Sequence, residues 1–448
     1  MGLSGLQIYK LLPRTNCKEC GFPTCLAFAM KLAAKQAELS ACPYVSEESK
    51  AALAAASTPP IRLVAVGSGD RKVEVGNETV LFRHEKTFFH QPGIFIRLKD
   101  TLPLPDFEAA VAEIRDYSVE RVGIELFVDG LAVENASGDA ETFAKYVAAV
   151  HAKTDRPLVL ITSDPASMAA ALTETNGSAP LIYAATPDTW EEMSKLAVEH
   201  KAPLAVRVDG DLSALAELVE QVKSAGVDDI VLDPGARELS SSLLALTQLR
   251  RLALKKNLRA LGYPIVTFPG EGADSPKEEL VQAAQQVAKY AGIIIMDHFD
   301  PASIYPLLTL RLNIYTDPQK PIQVSPGLYE ISDPQPDSPL LVTTNFSLTY
   351  FSVAGEVEAS GKPTWLLVAD SEGMSVLTAW AAGKFDAEKI AKSVKQFNVT
   401  DKISHKKITI PGLVSTISGE LEEELPDWDI LVGPREAMDI AAYLKTWH

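Results

Sequence analysis

Residues 157–233 read PLVLITSDPASMAAALTETNGSAPLIYAATPDTWEEMSKLAVEHKAPLAVRVDGDLSALAELVEQVKSAGVDDIVLD. Short apolar runs (Leu158–Thr162, Leu181–Ala184, Leu204–Val208, Ile230–Leu232) alternate with segments of helical periodicity (Ser167–Glu174, Thr189–His200, Leu212–Ala225). Apolar runs without polar alternation suit strands buried on both faces, the habit of parallel sheets whose crossover helices cover them. The same alternation continues outward on both sides. Apolar runs Ile61–Gly67, Gly93–Leu98 and Val122–Val128 precede the stretch, and Ile265–Phe268 and Ile293–Met296 follow it. Helical segments Leu104–Tyr117, Ala140–Lys153, Ser240–Asn257 and Lys277–Tyr290 lie between them. Repeated βα units of this kind predict a (β/α)8 TIM barrel over residues 61–320, with a hairpin around Arg71–Lys86 as a decoration.

Barrel sites form at strand C-terminal ends. Those ends carry Asp129, Ser163, Asp164, Asp209, Asp233, Gly270, Asp297 and His298. They read either as a carboxylate-lined site for a metal or sugar, or as helix N-caps, the commoner use of Asp and Ser after a strand. No Walker loop, nucleophile elbow or dense His/Asp ligand set accompanies them, which suggests a scaffold. His84 and His90 read as hydrogen-bonding or surface groups.

Beyond the barrel, Thr316–Pro339 holds Pro318, Pro321, Pro326, Pro334, Pro336 and Pro339, the composition of an extended interdomain linker. Strands at Leu340–Thr344, Trp365–Asp370, Lys407–Ile410 and Ile430–Val432 then alternate with helices at Ser347–Glu358, Met374–Gly383, Ala387–Phe397, Val414–Leu425 and Arg435–Trp447. This pattern predicts a small doubly wound, Rossmann-like sheet within residues 321–448, with ligands at its strand C-terminal edge. No G-x-G-x-x-G follows its first strand, so a dinucleotide is a poor fit.

At the other end, residues 1–60 form a separate module and linker, the latter being Ser46–Pro60. The chain's four cysteines, Cys17, Cys20, Cys25 and Cys42, all lie there with spacing C-x2-C-x4-C-x16-C. A helix over Leu26–Leu39 separates the last two. Three thiols within nine residues, with Gly21 and Pro23 turning the chain between them, can wrap one metal centre. Disulfides, zinc and an iron–sulfur cluster are the competing uses. A large acidic chain without a secretory leader disfavours disulfides, and the irregular spacing favours a cluster over zinc's usual paired C-x2-C knuckles.

Bulk properties narrow the class. The chain has 448 residues, 42 Lys+Arg against 59 Asp+Glu, and a net charge of −17. That balance opposes nucleic acid and anionic membrane surfaces. No apolar run reaches bilayer-spanning length, and the cytoplasm is the expected compartment.

The run GLQIYKLLPRTNCKECGFPTCLAFAMKLA (5–33) with Cys42-Pro43-Tyr44, and LVTTNFSLTYFSVAGEVE (341–358), resemble the large (gamma) subunit of corrinoid iron–sulfur proteins from the reductive acetyl-CoA (Wood–Ljungdahl) pathway. The resemblance covers cluster module, barrel, linker and C-terminal cobalamin domain. It implies a [4Fe–4S] cluster on Cys17, Cys20, Cys25 and Cys42. It also implies cobalamin on the edge loops through Thr343, Thr344, Asn345, Ser371, Gly373, Met374, Ser375, Thr378, Pro411, Gly412, Leu413, Gly433, Arg435 and Glu436. Such proteins are methyl carriers rather than complete enzymes. Co(I) accepts a methyl group from methyltetrahydrofolate through a methyltransferase and passes it to the nickel site of acetyl-CoA synthase/CO dehydrogenase, while the cluster returns stranded Co(II) to Co(I). The further implied partners are a small (delta) subunit, with which the large subunit forms a heterodimer, and a reductive activator or ferredoxin-type donor. None of the seven histidines follows an Asp by two positions, which agrees with base-off cobalamin lacking a protein His ligand. Two alternatives stand beside it. One is a self-contained pterin-dependent barrel methyltransferase using Asp129, Asp209, Asp233 and Asn257; the other is an electron-transfer or zinc scaffold without corrinoid.

Overall fold

The structure, a computed structural model, describes residues 5–33, 37–46, 49–50, 53, 59–85, 87–121, 124–317 and 322–447. The chain divides into two compact units: Met1–Tyr117 with Val128–Tyr315, and Ser118–Phe127 with Thr316–His448.

In the first unit, helices Gly5–Leu11 and Cys25–Ala33 build a small core with Ile8, Leu12, Phe28, Ala29 and Val45. The second helix is described as far as Ala33, residues 34–36 lie outside the described set, and Leu39–Ala41, where the expected helix would end, forms a 3-10 turn. Most of the expected linker at 46–60 lies outside the described residues.

The first apolar run after this module is not a barrel strand. β1 (Val64–Val66) pairs antiparallel with β2 (Val73–Val75). Val64, Val66 and Val75 are fully buried in the barrel's interior cluster, so this hairpin fills the interior instead of joining the wall. The wall begins with β3 (Gly93–Lys99). The run expected as its next strand, Val122–Val128, falls in an antiparallel hairpin, β4 (Ser118–Arg121) with β5 (Ile124–Phe127), that belongs to the second unit. Residues 122–123 are outside the described set. The true neighbour of β3 is β6 (Gly130–Glu134). Gly130 makes this possible, because a Cβ there would lie 2.3 Å from the Pro157 carbonyl oxygen and 2.4 Å from the Phe95 ring. Partial exposure along β5, with only Leu126 buried, against the fully buried Leu131, Ala132 and Val133 of β6 is the physical difference between the two runs.

The wall continues through β7 (Leu158–Ile161), β8 (Leu181–Ala185), β9 (Leu204–Arg207), β10 (Ile230–Asp233), β11 (Val266–Thr267) and β12 (Ile293–Met296). Their order is β10-β9-β8-β7-β6-β3-β12-β11, and a parallel bridge from Leu232 to Ile265 joins the two ends. An eight-stranded parallel α/β barrel is therefore the architecture of this unit. Its helices start on polar caps: Asp164 accepts from Ser167 N–H at 2.8 Å, and Asp211 accepts from Ser213 N–H at 2.8 Å. The Ser167 hydroxyl, with the Ser167 and Ala166 amides, holds the Asp164 carboxyl below its usual range. Asp164→Ala is expected to cost about 1 kcal/mol at neutral pH. Because the folded-state pKa is lowered, that contribution is present above the unfolded value and lost as pH falls through the folded one. Denaturant titrations of both chains should therefore converge below about pH 4.

In the second unit, β13 (Gly327–Ile331), β14 (Leu340–Thr344), β15 (Thr364–Ala369), β16 (Lys407–Ile410) and β17 (Asp429–Val432) form a sheet ordered β13-β15-β14-β16-β17. β14 to β17 run parallel and β13 is an antiparallel edge. Part of the stretch expected as linker is thus a strand. Its prolines flank β13 or lie before it, positions that an edge strand tolerates. Residues 318–321 lie outside the described set. Helices Ser347–Ser360 and Ile440–Thr446 cover one face, and Val376–Ala381, Ala387–Gln396 and Ser418–Glu424 cover the other. Strand order reverses at β14, which creates a switch point between β14 and β16. Among the described residues, no helix is long and apolar enough to cross a membrane.

Candidate functional site

Among the described residues, the barrel's carboxylates form no set that could hold a metal ion. Asp129 precedes β6, at the N-terminal end, where it accepts from Ile94 N–H at 2.8 Å and pairs with Arg311. Asn257 follows helix Leu239–Lys255 in a left-handed conformation, φ 53°. Asp209 and Asp233 lie at the C-terminal mouth, and arginines engage both. Arg237 grips Asp233 with bonds of 2.9 and 2.7 Å and also pairs with Glu271. Arg97 grips Asp297 at 2.7 and 2.8 Å and reaches Glu271 at 2.7 Å. The Phe268 ring lies under both guanidinium groups, 5.6 Å from Arg97 and 5.0 Å from Arg237. Tyr183 donates to Asp233 at 2.6 Å, and burial pushes its hydroxyl well above the usual range. A hydrogen bond from Arg207 holds Asp209 below the carboxylate range. Buried Glu279 pairs with His298 at 2.6 Å. The mouth is thus packed with mutually satisfied charges. Of the two histidines before the barrel wall, His84 stacks on Phe82 and His90 contacts the Gly76 carbonyl, as the sequence suggested.

An open site lies in the second unit. A cavity of about 330 Å³ sits at the switch point, within the range of small-molecule sites. The structure brings together there Thr343, Ser375, Pro411, Leu413, Gly433, Arg435 and Glu436 from the residues singled out in the sequence. Thr344, Asn345, Ser371, Gly373, Met374, Thr378 and Gly412 do not line it. Asn345 is a buried hub instead, with its Oδ1 accepting from Ser371 N–H at 2.9 Å, Ser371 Oγ at 2.7 Å and Gly373 N–H at 3.0 Å. Gly412 lets two edge loops touch, since a Cβ there would lie 2.5 Å from the Gly433 carbonyl oxygen. Sequence reasoning missed Leu341, Thr409, Val353 and Ile440, as well as Leu348 and Ser352. Two spacings carried that signal: Leu341 and Thr343 share one face of β14, and Leu348 and Ser352 are one helical turn apart. Thr343 Oγ1 is buried without a hydrogen-bond partner, as is Thr344 Oγ1. An unpaired buried hydroxyl in a cavity wall costs stability until a ligand satisfies it. Leu348, Leu377 and Leu413 expose apolar surface at the cavity. Hydroxyls within and apolar side chains at the wall fit a large amphipathic ligand.

In the cysteine module all four thiols are free. Cys25 and Cys42 are buried, Cys20 is half-buried against the same core, and Cys17 is exposed. Among the described residues, no three His, Cys, Asp or Glu side chains are gathered closely enough to hold a metal ion. The loop itself suits sulfur ligation. Arg14, Asn16, Lys18 and Gly21 all have positive φ, and Asn16 N–H donates to Cys25 Sγ at 3.4 Å, the kind of bond that tunes cluster sulfurs. Asn16 Oδ1 in turn accepts from Cys25 N–H at 2.8 Å, fixing this thiol at a helix start. Tyr44 donates to Glu19 at 2.9 Å beside Cys17 and Cys42, and that bond raises its hydroxyl pKa.

Fold and site define a two-unit α/β protein, in which a cysteine module and barrel are joined to a doubly wound sheet with a ligand-sized cavity. Residues 63–444 match the family model described as CO dehydrogenase/acetyl-CoA synthase delta subunit, and residues 12–44 match one described as putative Fe-S cluster. The corrinoid/iron-sulfur protein large subunit of Moorella thermoacetica is 46% identical over 99% of both chains. The acetyl-CoA decarbonylase/synthase complex subunit gamma of Archaeoglobus fulgidus is 38% identical, covering 99% of this chain and 98% of its own. The corresponding subunit of Methanopyrus kandleri is 36% identical, covering 99% and 97%. The chain therefore belongs to the family of corrinoid iron–sulfur protein large subunits, the gamma subunits of acetyl-CoA decarbonylase/synthase complexes.

Proposed function

We propose that the chain is the cofactor-bearing methyl carrier of the acetyl-CoA pathway, with a cluster module at 1–60, a barrel at 61–320 and a cobalamin-binding part at 321–448. The observation that carries this reading is the switch-point cavity with its unpaired Thr343 hydroxyl, in a chain that matches a corrinoid iron–sulfur large subunit end to end. Bound there, cobalamin supplies the cobalt that takes a methyl group from a methyltetrahydrofolate methyltransferase and yields it to acetyl-CoA synthase/CO dehydrogenase. Thr343, Ser375 and Arg435 hold polar groups of the ligand, and Leu413 and Leu377 pack on its apolar surface. The residues lining the cavity are hydroxyl-bearing and apolar side chains with the charged Arg435 and Glu436, and the reading takes cobalamin there as base-off, without a protein ligand to the metal. Cys17, Cys20, Cys25 and Cys42 hold a [4Fe–4S] cluster that returns electrons to inactive cobalt, supplied by a ferredoxin-type donor or reductive activator. A small (delta) subunit is the stable partner. The pterin alternative finds no support at the barrel mouth, where arginine side chains satisfy the carboxylates that a pterin would need.

The test is an anaerobic absorption spectrum with cobalt, iron and zinc counted on the same sample. A base-off corrinoid spectrum with about four irons per chain is expected, as one cubane requires. Zinc alone, or iron without cobalt after addition of corrinoid and partner subunit, overturns the reading. Thr343→Val sharpens it. Removing an unpaired buried hydroxyl should leave the apo protein as stable or more so, while cobalamin binding weakens about fivefold, the worth of one net hydrogen bond.

A further inference from the structure

Residues 322–324 precede β13 in the second unit, and these do not simply pass by. Gln323 forms an antiparallel bridge with Phe346, Val324 N–H donates to the Asn345 carbonyl at 2.9 Å, and Ser347 N–H donates to the Ile322 carbonyl at 3.3 Å. The Gln323 side chain goes further. Its Oε1 accepts from Asn345 Nδ2 at 3.1 Å, and Asn345, 1% exposed, points its Oδ1 at Ser371 and Gly373. Gly373 has φ +73° and packs directly on this side chain, so that a Cβ there would lie 2.6 Å from Gln323 Cγ. The loop so held delivers Ser375, Val376 and Leu377 to the cavity wall. The only other acceptor for Asn345 Nδ2 among the bonds described, Asp370 Oδ1, is farther at 3.3 Å and already receives Glu372 N–H at 3.0 Å.

We propose that Gln323 is a positioning residue for the corrinoid-facing loop 371–377, and that through Asn345 it links the state of that loop to residues 322–324. The proposal rests on the cobalamin reading above for the identity of the ligand. Gln323 acts in two ways. Its Oε1 fixes the Asn345 amide in the orientation that presents Oδ1 to the loop, and its methylenes form the floor on which Gly373 rests. Coupling of this kind is reciprocal, so a ligand that orders the loop also orders residues 322–324.

The test is hydrogen exchange by mass spectrometry on the full chain as wild type, Gln323→Ala and Gln323→Glu, each with and without cobalamin and the partner subunit. Gln323→Glu keeps the oxygen that accepts from Asn345. Without cobalamin, the amides of 371–377 should exchange about fivefold faster in Gln323→Ala, the effect of one net hydrogen bond. They should return to wild-type rates in Gln323→Glu, with β17 unchanged in both. With cobalamin, wild type should gain protection in 371–377 and 322–324 together, and Gln323→Ala should lose the gain in 322–324. Unchanged exchange of 371–377 in Gln323→Ala overturns the positioning role. Protection of 371–377 without 322–324 in wild type overturns the coupling. If cobalamin protects no peptide of the wild type, the cobalamin reading fails, and the ligand-free comparison still decides the role of Gln323.

Discussion

Cys20→Ala will lose the iron of the cluster and slow reductive reactivation of the cobalt centre at least about tenfold, because three thiolates do not hold a four-thiolate cluster securely. Methyl acceptance by protein whose cobalt was reduced chemically beforehand should keep its wild-type rate. The division follows from the proposed sites of the two cofactors. Cys20 packs on the small core with Cys25 and Cys42 in the first unit, and the cavity lies wholly in the second. Single-turnover methyl transfer and stepwise reactivation, measured on one preparation, separate the two roles. Equal loss of both activities would show that the cluster module also shapes the methyl-bearing site, and the proposed division of labour would fall.

Arg237→Ala should destabilise the barrel by about 3 kcal/mol, within the range for stripping one partner from a buried ion pair. Asp233 is 0% exposed and Arg237 only 15%, so the charge left behind cannot be hydrated in place. Tyr183 and Gly235 N–H still donate to Asp233, which keeps the cost near the lower end of that range. For a barrel of this size the loss corresponds to a fall of roughly 6–12 °C in the barrel's melting transition. Arg207→Ala is the control. Its partner Asp209 is 62% exposed, and the cost should stay within about 1 kcal/mol, as for surface pairs. Calorimetry of the two variants checks both values. A change below about 1 kcal/mol for Arg237→Ala would mean that water enters the mouth freely, and the view of the barrel as a packed scaffold would fail.

Much of the fold was legible. Runs such as LVLI at 158–161 and IIIM at 293–296 are too short for helices and too apolar for a half-exposed sheet, and the segments between them have helical period. The errors arose where composition is shared between different environments. Val64 and Val66 are as apolar as any wall strand, yet they belong to a hairpin filling the barrel, because burial alone does not specify which edge a strand pairs with. Residues 122–128 look like a strand and do contain one, but in a hairpin of the other unit, while GLAVE at 130–134, the wall strand, was not singled out. Its glycine admits the close approach of Phe95 and Pro157. Proline density at 316–339 suggested a tether and concealed an edge strand.

The candidate site divides in a similar way. Cysteine clustering, the hydroxyl-rich strand ends at Thr343 and Ser375 and the loop residues Pro411 and Gly433 follow from local chemistry, and a sequence displays local chemistry directly. What Asn345 does could not be read that way. It sits beside Thr343 and Thr344 as one more polar residue at a strand end, yet its side chain joins Gln323, Asp370, Ser371 and Gly373, groups up to 28 positions away. Nor could the fate of Asp233, whose role as a ligand or as an ion-pair partner depends on whether Arg237 folds back across the mouth. The sequence by itself determined the element types, the order of the parts and the thiol-bearing module, since these depend on residues near one another in the chain. Tertiary structure alone decided which carboxylates are neutralised, which hydroxyls are left unpaired and which residue holds the cavity loop, because hydrogen bonds and ion pairs depend on distances set by the packing of remote segments.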